Sequence, residues 1–497
     1  MSEGHIPGPV VPTATGAVRG RTWAGGFAYL GIPYAEPPYG ERRFRAPVPR
    51  ATWAGVRDCV EYGPTPQRIP FAEVTAIPEP SIPGEDVLSL NVFTPDPSAS
   101  GLPVYVYFHG GGFVAGSPAS PWYDGAAFSR DGVIVVTVAY RLAFEGFGYL
   151  PDAPANRGVL DQILALQWVR DNIAGFGGDR ERVTIGGQSA GGGAVMHLLV
   201  APAARGLFRA VIAISGAPGD LPVDTATAIT ADLAEQLGVS ADVAGFSTVP
   251  ERDLITALGI GDPFTGEPGA EGLLAAMADL TGGRGVSPTV DGQLLPWTVA
   301  DGLARGEGAG VPLLLGATLD EFSGLAVGGR SLFDGADPVT LLERTGLDAA
   351  TAARYAGSLP GRHPAEILGQ SVTDRIFRRN VVEWVALRSA AAAPTFGYDF
   401  AWRSPVDGLS GHCLDVPFAW DVLAEPYVVR VAGDHPPQAL ADAVHGAYVA
   451  FIRDGDPGWP RWSADGPVMT WDDESRLTDA AAYASAGTLL AAQAAPD

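Results

Sequence analysis

The chain has 497 residues, enough for a large core and, by length alone, for two or three domains. Hydrophobic residues make up 46% and charged residues 18%, the balance of a globular chain rather than a disordered one. A net charge of −24 argues against nucleic acid and anionic lipid as partners, and a solvated acidic surface is the plain reading.

All 32 basic residues are arginine, which points to GC-rich coding and a bacterial source. Without lysine the chain has no Schiff-base amine, no Walker lysine and no lysine general base. Cys59 and Cys413 offer neither a disulfide framework nor metal-ligand spacing. The opening Met1–Pro7 has no basic or apolar stretch of a secretory signal, and no apolar run approaches membrane-spanning length. A cytoplasmic location is expected.

In chain order, Gly16–Trp23 and Phe27–Ile32 read as short strands, followed by a Pro-rich stretch from Pro64 to Pro83. Leu102–Phe108 and Val133–Tyr140 are apolar runs rich in Val and Tyr, as in buried strands. Leu160–Ile173 repeats apolar residues at helical spacing and is closed by Gly175 and Gly177-Gly178. Val183–Ile185 and Ala210–Ile214 read as strands, and Val311–Leu315 and Thr395–Trp402 as later strands of the same sheet. Alternation of strands and helices predicts an α/β fold whose central, mostly parallel sheet is covered on both faces. Two segments, roughly Asp220–Gly310 and Leu325–Ala393, are rich in Ala, Leu and Asp with helical periodicity. They are expected to be helical insertions capping the carboxyl edge of the sheet within a single catalytic domain spanning 1–497. The Ala-rich tail Asp479–Asp497 reads as a terminal helix or frayed end.

Gly187-Gln188-Ser189-Ala190-Gly191 lies between the strand Val183–Ile185 and a helix-forming stretch. G-x-S-x-G in that setting is the nucleophile elbow of an α/β-hydrolase, which exposes a serine hydroxyl on a strained turn. With 65 glycines in the chain, chance alone produces such a pentapeptide about as readily as not, so its partners decide. His109-Gly110-Gly111-Gly112 follows the strand Leu102–Phe108, as an oxyanion loop does. The N–H groups of Gly111, Gly112 and Ala190 are the expected oxyanion donors.

In this fold the order runs serine, acid, histidine. Of the histidines after Ser189, His197 follows too closely, His445 lies in the apolar-periodic run Ala439–Ile452, and His363 and His435 each precede a proline. His412 follows Gly408-Leu409-Ser410-Gly411, just past the strand Thr395–Trp402, where the base belongs. The acid should follow Val311–Leu315, where Asp320 and Glu321 stand side by side and spacing does not separate them.

The chain resembles the type-B carboxylesterases, the family of the cholinesterases and bacterial p-nitrobenzyl esterases. Phe27–Pro38 with Arg43-Phe44, then Gly84–Val92, then Phe176-Gly177-Gly178-Asp179, carry the likeness over nearly the whole length. The resemblance implies Glu321 as the acid, His412 as the base ahead of Asp415-Val416-Pro417-Phe418, and Ser215 behind the acid. It also implies an Arg43–Glu85 ion pair. No metal or organic cofactor is called for, and the expected partner is a small ester substrate on a monomer or small homo-oligomer.

Three residues depart from the family pattern. Gln188 replaces the usual glutamate, which removes a negative charge and implies weaker selection for cationic, choline-type esters. Val87 stands where secreted relatives carry a cysteine, so the family disulfide is absent, as suits a reducing compartment. Phe322 replaces a glycine and is expected to pack beneath the cap. Cys413 is expected to point away from His412, because consecutive loop residues usually diverge. The function so implied is hydrolysis of neutral, short-to-medium carboxylic esters through an acyl-enzyme. Carbamate or amide hydrolysis is the alternative, and a non-catalytic binding protein is the remote one.

Overall fold

A computed structural model describes residues 6–66, 76–259, 269–282, 285–463 and 466–490. His5, part of the Pro64–Pro83 stretch, two short pieces of the 220–310 segment and the end of the Asp479–Asp497 tail lie outside the described residues. In chain order the strands are β1 (Pro7–Pro12), β2 (Ala17–Trp23), β3 (Gly26–Pro33), β4 (Val56–Asp58) and β5 (Ser89–Thr94). They continue as β6 (Leu102–Phe108), β7 (Ile134–Val138), β8 (Gly178–Gln188), β9 (Ala210–Ile214), β10 (Leu221–Pro222) and β11 (Thr289–Val290). The last are β12 (Leu313–Thr318), β13 (Thr395–Phe400), β14 (Val468–Trp471) and β15 (Arg476–Thr478).

Thirteen of these form one sheet in the order β1-β2-β3-β5-β7-β6-β8-β9-β12-β13-β14-β15, with β4 beside β2. The run from β7 to β14 is parallel, β1, β2, β3, β5 and β15 add antiparallel wings, and β4 pairs with β2 in parallel. The chain therefore belongs to the α/β class, with a mostly parallel central sheet. Alternation along β6 shows how the two faces are filled. Val104, Val106 and Phe108 join the cluster under the helices Arg157–Asn172 and Ala190–Val200. Tyr105 and Tyr107 join the opposite cluster under the helix Gln438–Asp454. Burying each such side chain contributes about 1.5–3 kcal/mol, so the doubly covered sheet is the main source of stability.

Strand order fixes where a ligand binds. β6 connects to β7 on one side, and β8 connects to β9 on the other. The loops after β6 and β8 thus diverge and leave a crevice at the carboxyl ends of these two strands.

Helices Val223–Leu237, Val243–Ser247, Glu251–Ala257, Ala270–Gly282 and Val299–Ala304 occupy the first long segment, with β10 and β11 pairing as a small separate sheet. The second holds helices from Gly324–Val327 to Arg379–Leu387. The two segments share a small core of their own, in which Leu274 and Met277 of the first meet Leu341, Leu368 and Val372 of the second. Among the described residues no helix is long and apolar enough to cross a membrane.

The expected Arg43–Glu85 pair does not form. Glu85 is exposed, whereas Arg43 binds Glu145 at 2.6 Å and the Val249 carbonyl at 2.7 Å. Asp86, the neighbour of Glu85, instead takes Arg50 at 3.2 Å. The reason is burial: the helix Ala143–Phe147 presents Glu145 inside the protein, where its carboxylate needs a cation.

A second buried pair clamps the segment after β7. Asp161 accepts from the Arg141 backbone N–H at 3.0 Å and from its guanidinium at 2.8 and 2.7 Å, both residues being buried. Asp161→Ala would strand a buried guanidinium. The expected loss is about 3–5 kcal/mol, read as a lower denaturant midpoint at unchanged slope.

Candidate active site

The elbow is built from steric necessity. β8 ends at Gln188, the helix Ala190–Val200 begins at Ala190, and Ser189 alone makes the turn with φ +58° and ψ −123°. Such a conformation costs a non-glycine residue on the order of 1–3 kcal/mol and persists only where its surroundings enforce it. They do: the Ser189 N–H donates to the Ile214 carbonyl at 2.9 Å, and the Ser189 carbonyl accepts from Gly193 and Ala217. A Cβ at Gly187 would lie 2.3 Å from the Gly191 carbonyl oxygen, and one at Gly191 would lie 2.1 Å from that of Phe108. Glycine at both flanks is therefore obligatory for strand and helix to approach this closely.

The glycine loop stands against the elbow because Phe108 pairs with Gly187 across β6 and β8. His109 anchors it from behind. Its ring stacks on Tyr140 at 4.6 Å, and its backbone carbonyl accepts from the Tyr140 hydroxyl at 2.7 Å. Burial pulls the His109 pKa down to about 4, so this imidazole is neutral and structural. Gly111 and Gly112 have φ of +102° and +62°. Among the described residues the N–H groups of Gly111, Gly112 and Ala190 donate to no protein acceptor. They are open donors beside the serine.

Glu321 and His412 arrive on adjacent strands. β12 and β13 pair in parallel, and beyond their ends Glu321 bridges to Gly411, with the His412 N–H donating to the Glu321 carbonyl at 3.0 Å. The two side chains meet in a short hydrogen bond between His412 Nδ1 and Glu321 Oε2. Glu321 Oε1 accepts from Ser215 Oγ at 2.6 Å and from the Thr318 N–H at 2.8 Å, so the buried carboxylate is fixed at both oxygens. Asp320 turns the other way. It accepts from the Ser410 N–H at 2.8 Å and pairs with Arg403 at 2.8 Å, bracing the loop that carries His412. Structure thus separates two carboxylates that spacing alone leaves equivalent.

The outer nitrogen of His412, Nε2, lies 3.2 Å from the Gln188 side-chain amide nitrogen, one residue before Ser189. Ser189 Oγ takes part in no hydrogen bond among the described residues; such bonds tighten when substrate enters. Two phenylalanines flank the imidazole, Phe322 edge-on at 4.8 Å and Phe377 at 4.6 Å. Phe322 packs against the core of the inserted helices, as expected, but it also touches the base.

Phe377 is a contact that the sequence does not reveal. It sits on a π-helical stretch, Asp374–Arg378, that shifts the phase of the helix. Arg378 of the same stretch reaches down to the sheet, binding Asp399 at 2.6 Å and the Thr318 carbonyl at 3.0 Å.

Cys413 departs from expectation. With φ +71° it turns its sulfur into electrostatic contact with His412 rather than away from it. Burial pushes the thiol up, so it stays protonated and is no nucleophile. Asp415, three residues after the base, is buried with its pKa pushed up to about 7 by burial and by the Glu321 charge. Its one hydrogen-bond donor is the Tyr398 hydroxyl at 3.0 Å. Of the other candidate histidines, His435 is exposed, and His445 and His363 are structural. His445 bonds the Ala419 carbonyl at 2.9 Å and Asp131 at 3.0 Å, and His363 caps the helix Pro364–Thr373.

Comparison with known proteins agrees with this geometry. The profile of the carboxylesterase family matches residues 7–478. The chain is 34% identical to the para-nitrobenzyl esterase of Bacillus subtilis, covering 91% of this chain and 92% of that protein. It is 32% identical to the phenmedipham hydrolase of Pseudarthrobacter oxydans, covering 93% and 95% respectively. Among solved structures, a carboxylesterase of Geobacillus stearothermophilus superposes with a TM-score of 0.82 at 32% identity, covering 96% of this chain and 99% of that one.

Two outcomes are expected from these contacts. Burial lowers the His412 pKa, but the Cys413 sulfur and the Glu321 carboxylate beside it outweigh that and hold the pKa above the ordinary histidine value. The neutral imidazole is the form that can accept a proton, so kcat/KM should fall as pH drops through a midpoint above about 6.5, read from a pH–rate profile. Ser215→Ala frees one oxygen of Glu321 and should lower kcat/KM on the order of tenfold in steady-state kinetics.

Proposed function

Because the chain belongs to the carboxylesterase family, we propose that Ser189 is the nucleophile of this carboxylic ester hydrolase, with His412 as general base and Glu321 as the acid that orients it. The observation that carries this reading is the continuous line of contacts from Ser215 through Glu321 and His412 to the elbow residue Gln188.

Ser189 Oγ attacks the ester carbonyl carbon while His412 Nε2 takes its proton. The carbonyl oxygen gains charge and is held by the N–H groups of Gly111, Gly112 and Ala190, which have no other acceptor to give up. Glu321 fixes the Nδ1–H tautomer and stabilises the imidazolium. The C–O bond breaks, His412 returns the proton to the leaving alcohol, and water repeats the cycle on the acyl-enzyme. Ser215 and the Thr318 N–H keep Glu321 aimed at the imidazole.

Neutral esters with short-to-medium acyl groups are the substrates this reading favours. The absence of a charged carboxylate at Gln188 supports neutrality, and the relative named as a p-nitrobenzyl esterase supports an ester of a simple alcohol. Likeness to the phenmedipham hydrolase, a carbamate hydrolase, supports carbamates as a second substrate class for the same triad. A cytoplasmic location suits two cysteines that are both free and buried.

A sulfonyl fluoride should label Ser189 alone on peptide mapping, and Ser189→Ala should lose at least about three orders of magnitude in kcat. A label at any other serine overturns the assignment.

A further inference from the structure

Proton acceptance by His412 requires the Nε2 lone pair, and in the free protein that lone pair already has a partner. With Nδ1 bonded to Glu321, a neutral imidazole carries its proton on Nδ1 and its lone pair on Nε2. The Gln188 amide N–H, 3.2 Å away, is the donor that fits this state. Gln188 is buried, and its other amide atom is seated by shape: a Cβ at Gly110 would stand 2.9 Å from Gln188 Oε1. The remaining surroundings of the ring are the apolar Phe322 and Phe377. The ionisable groups facing it are Glu321 from the β12 end, and Cys413 and Asp415 from its own loop. Thus the amide of Gln188 is a neutral hydrogen-bonding partner of the catalytic nitrogen.

We propose that Gln188 is a positioning residue that caps His412 Nε2 in the resting enzyme, opposes protonation of the imidazole, and yields its place to Ser189 Oγ when substrate fills the oxyanion site. This inference rests on the triad reading above. A donor to the lone pair favours the neutral ring, because the protonated ring has no lone pair there to accept. An amide is also two-faced: turned over, Oε1 can accept from the imidazolium that forms during the reaction. A carboxylate at the same position could only accept, and would favour the charged ring at rest. The identity of this side chain therefore sets the pH at which the base becomes available.

The test compares the wild type with Gln188→Glu and Gln188→Met in kcat/KM–pH profiles on p-nitrophenyl acetate. Gln188→Glu should move the acid limb up by about one pH unit or more, and Gln188→Met, which only removes the donor, should move it up by less. Sulfonyl fluoride labelling is run on each protein. If Ser189 labels in all three while both variants keep the wild-type limb and lose only amplitude, Gln188 is merely structural and the proposal is overturned. If Ser189 does not label in the wild type, it is the triad reading that falls. Should a variant fail to fold, 15N-histidine spectra of the wild type at pH 8 decide. A neutral Nδ1–H tautomer with a hydrogen-bonded, unprotonated Nε2 supports the cap, and a free Nε2 rejects it.

Discussion

A parallel strand that must become a helix within a single residue leaves no space for side chains on either side of the turn. This steric constraint at Ser189 governs the rest of the site. It demands glycine at 187 and 191, since a Cβ at either would come within 2.3 Å of a backbone oxygen. It leaves the first N–H of the helix Ala190–Val200 unsatisfied and facing the crevice. It also requires glycine at 110 in the neighbouring loop after β6, where a Cβ would stand 2.7 Å from the Gln188 carbonyl oxygen. The open N–H of Ala190 is thus a by-product of the geometry that exposes the serine, and the strain is sustained by the doubly covered sheet beneath.

Electrostatics around the base are arranged by pairing rather than by exposure. Buried carboxylates in this region are each handled differently. Glu321 is held by the serine hydroxyl of residue 215 and by a backbone N–H. Asp399 is neutralised by Arg378, which also approaches Asp374 at 3.5 Å. Asp415 has no cation and keeps its proton over part of the neutral range. A strongly acidic chain can therefore keep a single negative charge pointed at its imidazole without a crowd of others behind it.

Much of this was legible in the sequence, for reasons that differ by element. β6 and β9 appear at the boundaries read from their apolar runs, since strands buried on both faces carry little but Val, Ile, Leu and aromatics. β12 runs to Thr318 rather than Leu315, because Gly316 and Thr318 interrupt the apolar pattern while the backbone pairing with β13 continues. Strands β1, β4 and β5 and the edge strands β14 and β15 escaped, being short or embedded in motif residues. Ser189 and His412 could be placed by motif and order, but Asp320 and Glu321 differ only in which way the chain turns, with φ +31° at Glu321. The ion pair of Arg43 was misassigned because its partner, Glu145, lies 102 positions away in sequence and only the fold brings it close. Phe377 could not be found at all, because a π-helical phase shift breaks the periodicity by which a helix face is read.

That same π-helical stretch has an evolutionary reading. One turn of helix carries both a ring against the imidazole and an arginine rooted in the sheet, while its neighbours build the cap over the crevice. Substrate breadth and turnover are consequently linked traits in this scaffold. A lineage that remodels this part of the cap to admit a new acid or alcohol drags the base along, and must re-seat it before the new specificity is of use.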